Sequence, residues 1–337
     1  MYDKFSEFLR DKKRLCIIQA ENPDGDSLGS AIALDYILQD SENSLYCPVD
    51  VPKYLRYFPD WSRVENDFDY KADGYIIVDT AATVLLSKLL DDLAIKNCLY
   101  NKPVLVIDHH ETPDDLDFPH EAIIESLPAC ADLIYKIARD QKFDIPREAA
   151  EALYSAISSD TLGLVSSSVT ADTMRVMADL IELGANPAEL DEKRRELMKK
   201  SPRILDYKAD LIKRIDYALD GALATVHIPF EDIQLYSDEY NPNVLIIEEL
   251  RLVSGVEVTV AVKTYPDGKV TGKVRTSIPI ADQIAGYFGG GGHPYAAGFR
   301  TYDTSYDEVV ADLVKIVPQL AAETQVEPQS HSNAGGD

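Results

Sequence analysis

The stretch LCIIQAENPDGDSLGS, Leu15 to Ser30, decides the fold. Its first four residues are apolar and include two isoleucines, the composition of a short strand buried on both faces, expected over 15–18. The strand runs straight into Asn22-Pro23-Asp24-Gly25-Asp26, a turn with one carboxylate on each side of a glycine. A helical stretch is expected over 30–39. Strand, tight turn and helix in that order open a βα unit, and sheets built from such units bind ligands beyond the carboxyl ends of their strands. Asp24 and Asp26 would therefore lie where an α/β sheet does its chemistry. Taken alone, Asp-Gly-Asp is an ordinary turn, so its meaning depends on what the rest of the chain brings beside it.

Working outward, the pattern repeats. Buried, β-branched runs at 75–78, 104–107 and 123–125 read as strands, and 83–93, 130–139, 147–158 and 171–183 read as helices. The fold class is α/β, a mostly parallel sheet with helices on both faces. The second strand ends in Asp79 and the third in Asp108-His109-His110, while the helix over 147–158 ends in Ser158-Ser159-Asp160-Thr161. Each feature has a plain structural explanation. A strand-end aspartate caps the next helix, and a His-His pair often lies on a surface. Gathered at one sheet edge, however, five aspartates and two histidines raise one another's pKa and strain the fold unless cations compensate. Carboxylates with imidazole suit Mn²⁺ or Mg²⁺, with zinc or iron as further options. A pair of such ions bridged by an aspartate and a water makes a hydroxide nucleophile at neutral pH and clamps a phosphoryl group.

The quoted motifs resemble a known family. NPDGDSLGS, the strand-end Asp79, DHHE and SSDTLG are similar, in order, to the four motifs of the DHH phosphoesterases, and GGGGHPYAAG, Gly289 to Gly298, resembles the glycine-rich signature of their associated C-terminal domain. The resemblance spans nearly the whole chain except its tail. It points to the compact branch of nanoRNases, 3′-phosphoadenosine 5′-phosphate (pAp) phosphatases and linear di-adenylate hydrolases. It implies two ions, Mn²⁺ or Mg²⁺. Asp26, Asp79, His109 and Asp160 would hold one, and Asp24 with the bridging Asp79 the other. Asp108 would orient His109, and His110 would face the phosphate or the leaving oxygen. Relatives place a histidine four residues before Asp24, where this chain has Ala20, so the first site is expected to be weakened. Gln19 and Glu21 are the neighbours able to substitute, although residues adjacent on a strand point to opposite faces. The segment Leu162-Gly163-Leu164-Val165 also departs from the aromatic and basic residues usual there.

Past Ala185-Asn186-Pro187 the character changes. Strands are expected over 222–228, 256–263 and 269–276, the last two joined by the turn Pro266-Asp267-Gly268, and a helix over 280–288 leads into the glycine run. The expected domains are a catalytic DHH domain over 1–187, a helical connector over 188–220, a smaller α/β substrate-binding domain over 221–323 and a disordered tail over 324–337. Gly290, Gly291, Gly292, His293 and Arg275 are the expected phosphate-binding residues. Glycine lets a backbone approach an anion closely, and arginine offers a planar fork. Arg300 is a weaker candidate. The resulting design is a cleft that hydrolyses short oligoribonucleotides, pApA or pAp from one end. The alternatives are a nucleotide-binding regulator that lost turnover with Ala20 and, with less support, an inorganic pyrophosphatase.

Composition sets limits. Lys plus Arg is 33 and Asp plus Glu is 58, a formal charge of −25. Such a surface repels long duplexes, whose binding depends on cationic contacts to phosphates, so the substrate is expected to be short and held at local charges. Four scattered cysteines without a Cys-x-x-Cys pair fit reduced thiols in a cytoplasm. No apolar run approaches the length of a membrane span. A homodimer is compatible with these features.

Overall fold

A computed structural model describes residues 2–326; of the tail expected to be disordered over 324–337, residues 324–326 instead end the last helix, and 327–337 lie outside the described residues. The chain divides into two compact units, Met1–Lys199 and Lys200–Asp337.

The first unit contains strands β1 (Arg14–Ile18), β2 (Glu42–Tyr46), β3 (Val64–Glu65), β4 (Gly74–Val78), β5 (Val104–Asp108) and β6 (Glu121–Ile124). Its helices are α1 (Asp3–Leu9), α2 (Gly25–Ile37), α3 (Ser87–Asp91), α4 (Leu93–Asn101), α5 (Cys130–Asp140), α6 (Arg147–Asp160), α7 (Ala171–Glu182) and α8 (Pro187–Leu197). The six strands are all parallel, in the order β3-β2-β1-β4-β5-β6. Alternation along β1 sends Leu15 and Ile17 into a core shared with α2, α5 and α6, and Cys16 and Ile18 into a second core under α3 and α4. Both faces are thus covered by helices. Strand order reverses between β1 and β4, which makes the gap beyond their carboxyl ends the switch point where such sheets bind ligands. Helix α2 starts at Gly25, five residues earlier than the sequence reading. Asp24 accepts from the N–H groups of Asp26 and Ser27, and Ser27 Oγ accepts from the Asp24 N–H, a reciprocal cap that starts the helix inside the turn.

The second unit contains α9 (Pro202–Lys213), β7 (Ile215–Ala218), β8 (Leu223–Ile228), α10 (Phe230–Tyr236), α11 (Pro242–Arg251), β9 (Val258–Thr264), β10 (Lys269–Thr276), α12 (Ala281–Tyr287), β11 (Gly291–His293), β12 (Ala296–Tyr302) and α13 (Tyr306–Val326). Its mixed sheet has the order β11-β12-β10-β9-β8-β7, with only β8 and β9 parallel. The stretch expected as one connector is two helices in different units. Leu190 is the buried residue of α8, which packs on α6 of the first unit, whereas Ile204, Tyr207 and Leu211 bury α9 in a core of the second unit with β8 and α11, Ser201-Pro202 starting α9. Among the described residues, no helix is long and apolar enough to cross a membrane.

Candidate metal centre

Asp79 follows β4 directly and adopts φ +64°, a left-handed backbone that costs a non-glycine residue energy and persists when its surroundings impose it. The residue is 7% exposed, and its Oδ1 has no hydrogen-bond partner among the described residues. A buried, unpaired carboxylate oxygen in a native fold calls for an ion or a water.

His109 supplies the complementary half. Its Nδ1 lies 2.8 Å from the Leu127 carbonyl, and a carbonyl only accepts, so Nδ1 carries the proton. In the neutral ring Nε2 is then a lone pair. That lone pair lies 3.3 Å from Asp79 Oδ1, 3.7 Å from Asp26 Oδ2 and 3.8 Å from Asp160 Oδ2. Four acceptors facing one another repel unless something positive lies between them. A backbone carbonyl fixing the far nitrogen is also the usual support for a metal-bound histidine. Asp26, His109 and Asp160 form one group able to hold an ion, and Asp79, His109 and His110 form a second.

Two tight contacts assemble this set. Gly25 and Gly29 are one helical turn apart on α2 and pack on α6. A Cβ on Gly29 would lie 2.7 Å from Ala156 Cβ and 2.8 Å from the Ala152 carbonyl oxygen, and one on Gly25 would collide with Ser159. Only glycine lets α6 come this close, and that approach carries Asp160, its last residue, up to Asp26. Second, Asp26 caps α5, with Oδ2 accepting from Cys130 N at 2.6 Å and Oδ1 from Ala131 N at 3.0 Å. The residue before α5, Ala129, offers no side-chain cap, so Asp26 satisfies those free N–H groups itself.

The electrostatics follow from burial. Asp26 is pushed up to about 7 by burial, with Asp160 and Asp24 adding to the shift while His109 opposes it. Asp79 is raised well above the carboxylate range, again mainly by burial and then by Asp26 and Asp24. Asp160 is raised by burial despite His109. Asp108 differs: burial raises it, but hydrogen bonds from the His110 ring and from the His110 and His109 amides outweigh burial and hold it below the ordinary range. His110 Nδ1 donates to Asp108 at 2.7 Å, which raises the His110 pKa.

Several sequence-stated roles change here. Asp108 orients the His110 ring; the His109 ring is held by Leu127. Asp24 lies outside both groups and is exposed, with Oδ1 committed to its cap. Ala20 falls two residues past Ile18, whose partner on β4 is Ile77, so counting on from the strand ends sets Ala20 opposite Asp79. Glu21 cannot replace a ligand there, because its carboxylate accepts from Ser87 Oγ and Lys88 N. Gln19 is fully buried, and neither amide atom has a partner among the described residues. No sequence signal separates Leu127 from ordinary loop residues.

In the second unit, Gly291–His293 forms an edge strand against β12. Cβ atoms on Gly290 and Gly292 would strike the backbone of β12, so close strand packing accounts for both. The Gly290 N–H donates to the Ala285 carbonyl and is not free for an anion. What the register assembles is a row of side chains. His293 and Arg275 both pair with Ala296, which puts them on one face. Lys273 pairs with Gly298, which pairs with Gly291, one row along on the same face. Arg300 and Lys263 flank Thr271 in the next row. Lys273 belongs to the alternation Lys269, Thr271, Lys273, Arg275, which is visible in the sequence as a period of two along β10.

Residues 14–157 match the N-terminal domain of the DHH family. Across most of its length the chain is similar to the bifunctional oligoribonuclease and PAP phosphatase NrnA of Thermus thermophilus, 25% identical over 88% of this chain and 86% of that protein. It is also similar to the protein of the same name in Bacillus subtilis, 22% identical over 86% and 90%. A probable manganese-dependent inorganic pyrophosphatase of Enterococcus faecalis is 26% identical over a shorter span, 60% of this chain and 65% of that one. A solved exopolyphosphatase-related protein of Bacteroides fragilis shares the fold, with TM-score 0.81 at 20% identity over 95% and 97% of the two chains.

Proposed function

We propose, from the match of residues 14–157 to the N-terminal domain of the DHH family, that the protein is a divalent-metal-dependent phosphoesterase that hydrolyses short oligoribonucleotides, pApA or pAp to mononucleotides. The observation that carries the reading is the buried, unpartnered Asp79 Oδ1 facing the His109 lone pair and two further carboxylates. That donor set fits Mn²⁺ or Mg²⁺. Asp26, Asp79, His109 and Asp160 hold one ion, and Asp79 with Asp24 or His110 serves a second. When bound, the metal offsets the negative charge of the carboxylates and of the phosphate and lowers the pKa of a water. The remaining work belongs to the chain. Leu127 keeps His109 in one tautomer. Asp108 keeps the proton on His110 Nδ1 and stabilises the charged ring, which can then hydrogen-bond a phosphate or leaving oxygen. On the second unit, Arg275 and Lys273 offer charged donors, and His293 a ring N–H, to a phosphate group.

Support for a nucleotide substrate comes from coverage. The Thermus thermophilus and Bacillus subtilis proteins named as oligoribonucleases align over 88% and 86% of this chain, more than the first unit alone, whereas the Enterococcus faecalis pyrophosphatase aligns over 60%. Ala20 supports a second reading, a nucleotide-binding protein that has lost turnover. One assay separates them: release of AMP from pApA and of phosphate from pAp, with Mn²⁺ or Mg²⁺ added. Turnover lost in Asp79→Asn and Asp160→Asn supports the hydrolase. Turnover indifferent to both sinks it, and nucleotide binding without product favours the second reading.

A further inference from the structure

We infer that the first unit carries a nucleoside subsite beside the metal centre, a cavity of about 500 Å³ in which a nucleobase stacks on Tyr54 against Leu162 and Met198. The inference rests on the phosphoesterase reading above and deepens it by naming the part of the substrate that the first unit grips. The cavity begins at Asp24 and Gly25, the turn bordering the carboxylate cluster, and its volume falls within the roughly 300–1,000 Å³ range of small-molecule sites.

Three observations give the cavity its chemistry. First, its walls are apolar side chains left in the open: Tyr54 is 58% exposed, Leu162 74% and Met198 41%. Second, Leu162 is held there at a cost. Leu162, Gly163 and Leu164 have φ values of +54°, +77° and +69°, three left-handed residues in succession, two of them leucines. A backbone in this region that also pushes a leucine into solvent is strain of the kind found at ligand sites. The conformation is imposed from outside the three residues: Thr161 Oγ1 accepts from Leu164 N, and the Gly163 N–H donates to the Ser158 carbonyl at 2.7 Å.

Third, the charges in the cavity are already balanced or negative. Arg194 is paired with Asp191 at 2.7 Å, and Asp24 adds a carboxylate at the mouth. A bare anion such as pyrophosphate gains nothing there. A ligand whose phosphate lies at the metal cluster and whose neutral, flat, partly apolar end extends past Asp24 matches the lining, and the Ser158 and Ser159 hydroxyls suit ribose. Stacking on an aromatic ring tolerates any base, so this subsite selects nucleotides over inorganic phosphates without selecting sequence.

The test compares AMP with ribose 5-phosphate, which differ only by the base, in calorimetric titrations of the full chain with Mn²⁺ present. The wild type is expected to bind AMP roughly tenfold more tightly, the scale of one stacked base, and Tyr54→Ala and Leu162→Asp each to bring the ratio towards one. Circular dichroism and Tm establish that each variant is folded. A wild-type ratio near one, or an unchanged ratio in both folded variants, overturns the inference. Hydrolysis of pApA is measured separately, so a chain that turns over pApA without preferring AMP loses only the subsite, and one that prefers AMP without turnover loses only the hydrolase reading.

Discussion

Gly29→Ala tests how the metal cluster is assembled. The added Cβ would lie 2.7 Å from Ala156 Cβ, 2.8 Å from the Ala152 carbonyl oxygen and 2.8 Å from Phe58 Cε1. Carbon atoms rest about 3.5–4.0 Å apart, so α6 must withdraw from α2 by about 1 Å. Asp160 ends α6, and its Oδ2 is 3.8 Å from His109 Nε2. The same withdrawal stretches that separation to about 4.8 Å and opens the group it forms with Asp26. Overpacking costs about 1–3 kcal/mol, and alanine returns about 1 kcal/mol of helix propensity. Net destabilisation is therefore about 0–2 kcal/mol, a fall in Tm of under about 8 °C for a unit of this size. A misplacement of about 1 Å in a catalytic set costs about 100-fold in rate. The expected result is a small thermal shift with a loss of roughly two orders of magnitude in kcat on pApA and weaker Mn²⁺ binding. Gly286→Ala, where a Cβ meets nothing within 4 Å, serves as the control. Wild-type kcat and Mn²⁺ affinity in Gly29→Ala would refute the argument that glycine-mediated packing sets the position of Asp160.

Three further outcomes are expected. Ala20→His places an imidazole in the row of Asp79 and should tighten Mn²⁺ by at least about tenfold, the lower end of what a single supporting partner contributes at a metal site; calorimetric titration against wild type measures it, and unchanged affinity shows that the row does not reach the ion. Asp26 and Asp79 have raised pKa values, so in the metal-free fold they hold protons that the unfolded chain has released, and their contribution to stability is fullest below about pH 4 and is lost as pH rises towards about 7; the Tm of metal-free wild type relative to Asp79→Asn should fall across that window, and saturating Mn²⁺ should remove the decline in wild type. Lys273→Ala deletes one charge from the cationic row of the second unit and should raise KM for 5′-phosphorylated pApA about 10–100-fold, the worth of a charged hydrogen bond, relative to unphosphorylated ApA; equal effects on both substrates would place Lys273 outside the phosphate grip.

The parallel α/β architecture was legible because β1, β4 and β5 carry apolar runs, β4 and β5 passing directly into Asp79 and Asp108 and β1 leading to the Asp24-Gly25-Asp26 turn. The residues that hold the cluster in shape were less so. The early start of α2 was hidden because Asp24 reads equally well as a turn residue, and its capping role emerges only once Ser27 folds back on it. Strand β2, Glu42–Tyr46, carries Glu, Asn and Ser with one buried flank and so lacks the apolar signal of its neighbours. The support of His109 by Leu127 could not be read at all, since a backbone carbonyl is common to every residue and only the fold selects one. The glycine run was over-read in the opposite direction. Its glycines suggested an anion site, but two of them are required by the backbone of β12, and the cationic row alongside became visible only through strand register.

The central claim is that the carboxylates converge because a cation belongs among them. Diffraction from crystals grown with Mn²⁺, collected at the manganese absorption edge, addresses it directly. The account predicts an anomalous peak bounded by Asp26, Asp79, His109 and Asp160, lost in Asp79→Asn. No peak there at millimolar Mn²⁺, or a peak elsewhere that persists in Asp79→Asn, would contradict it.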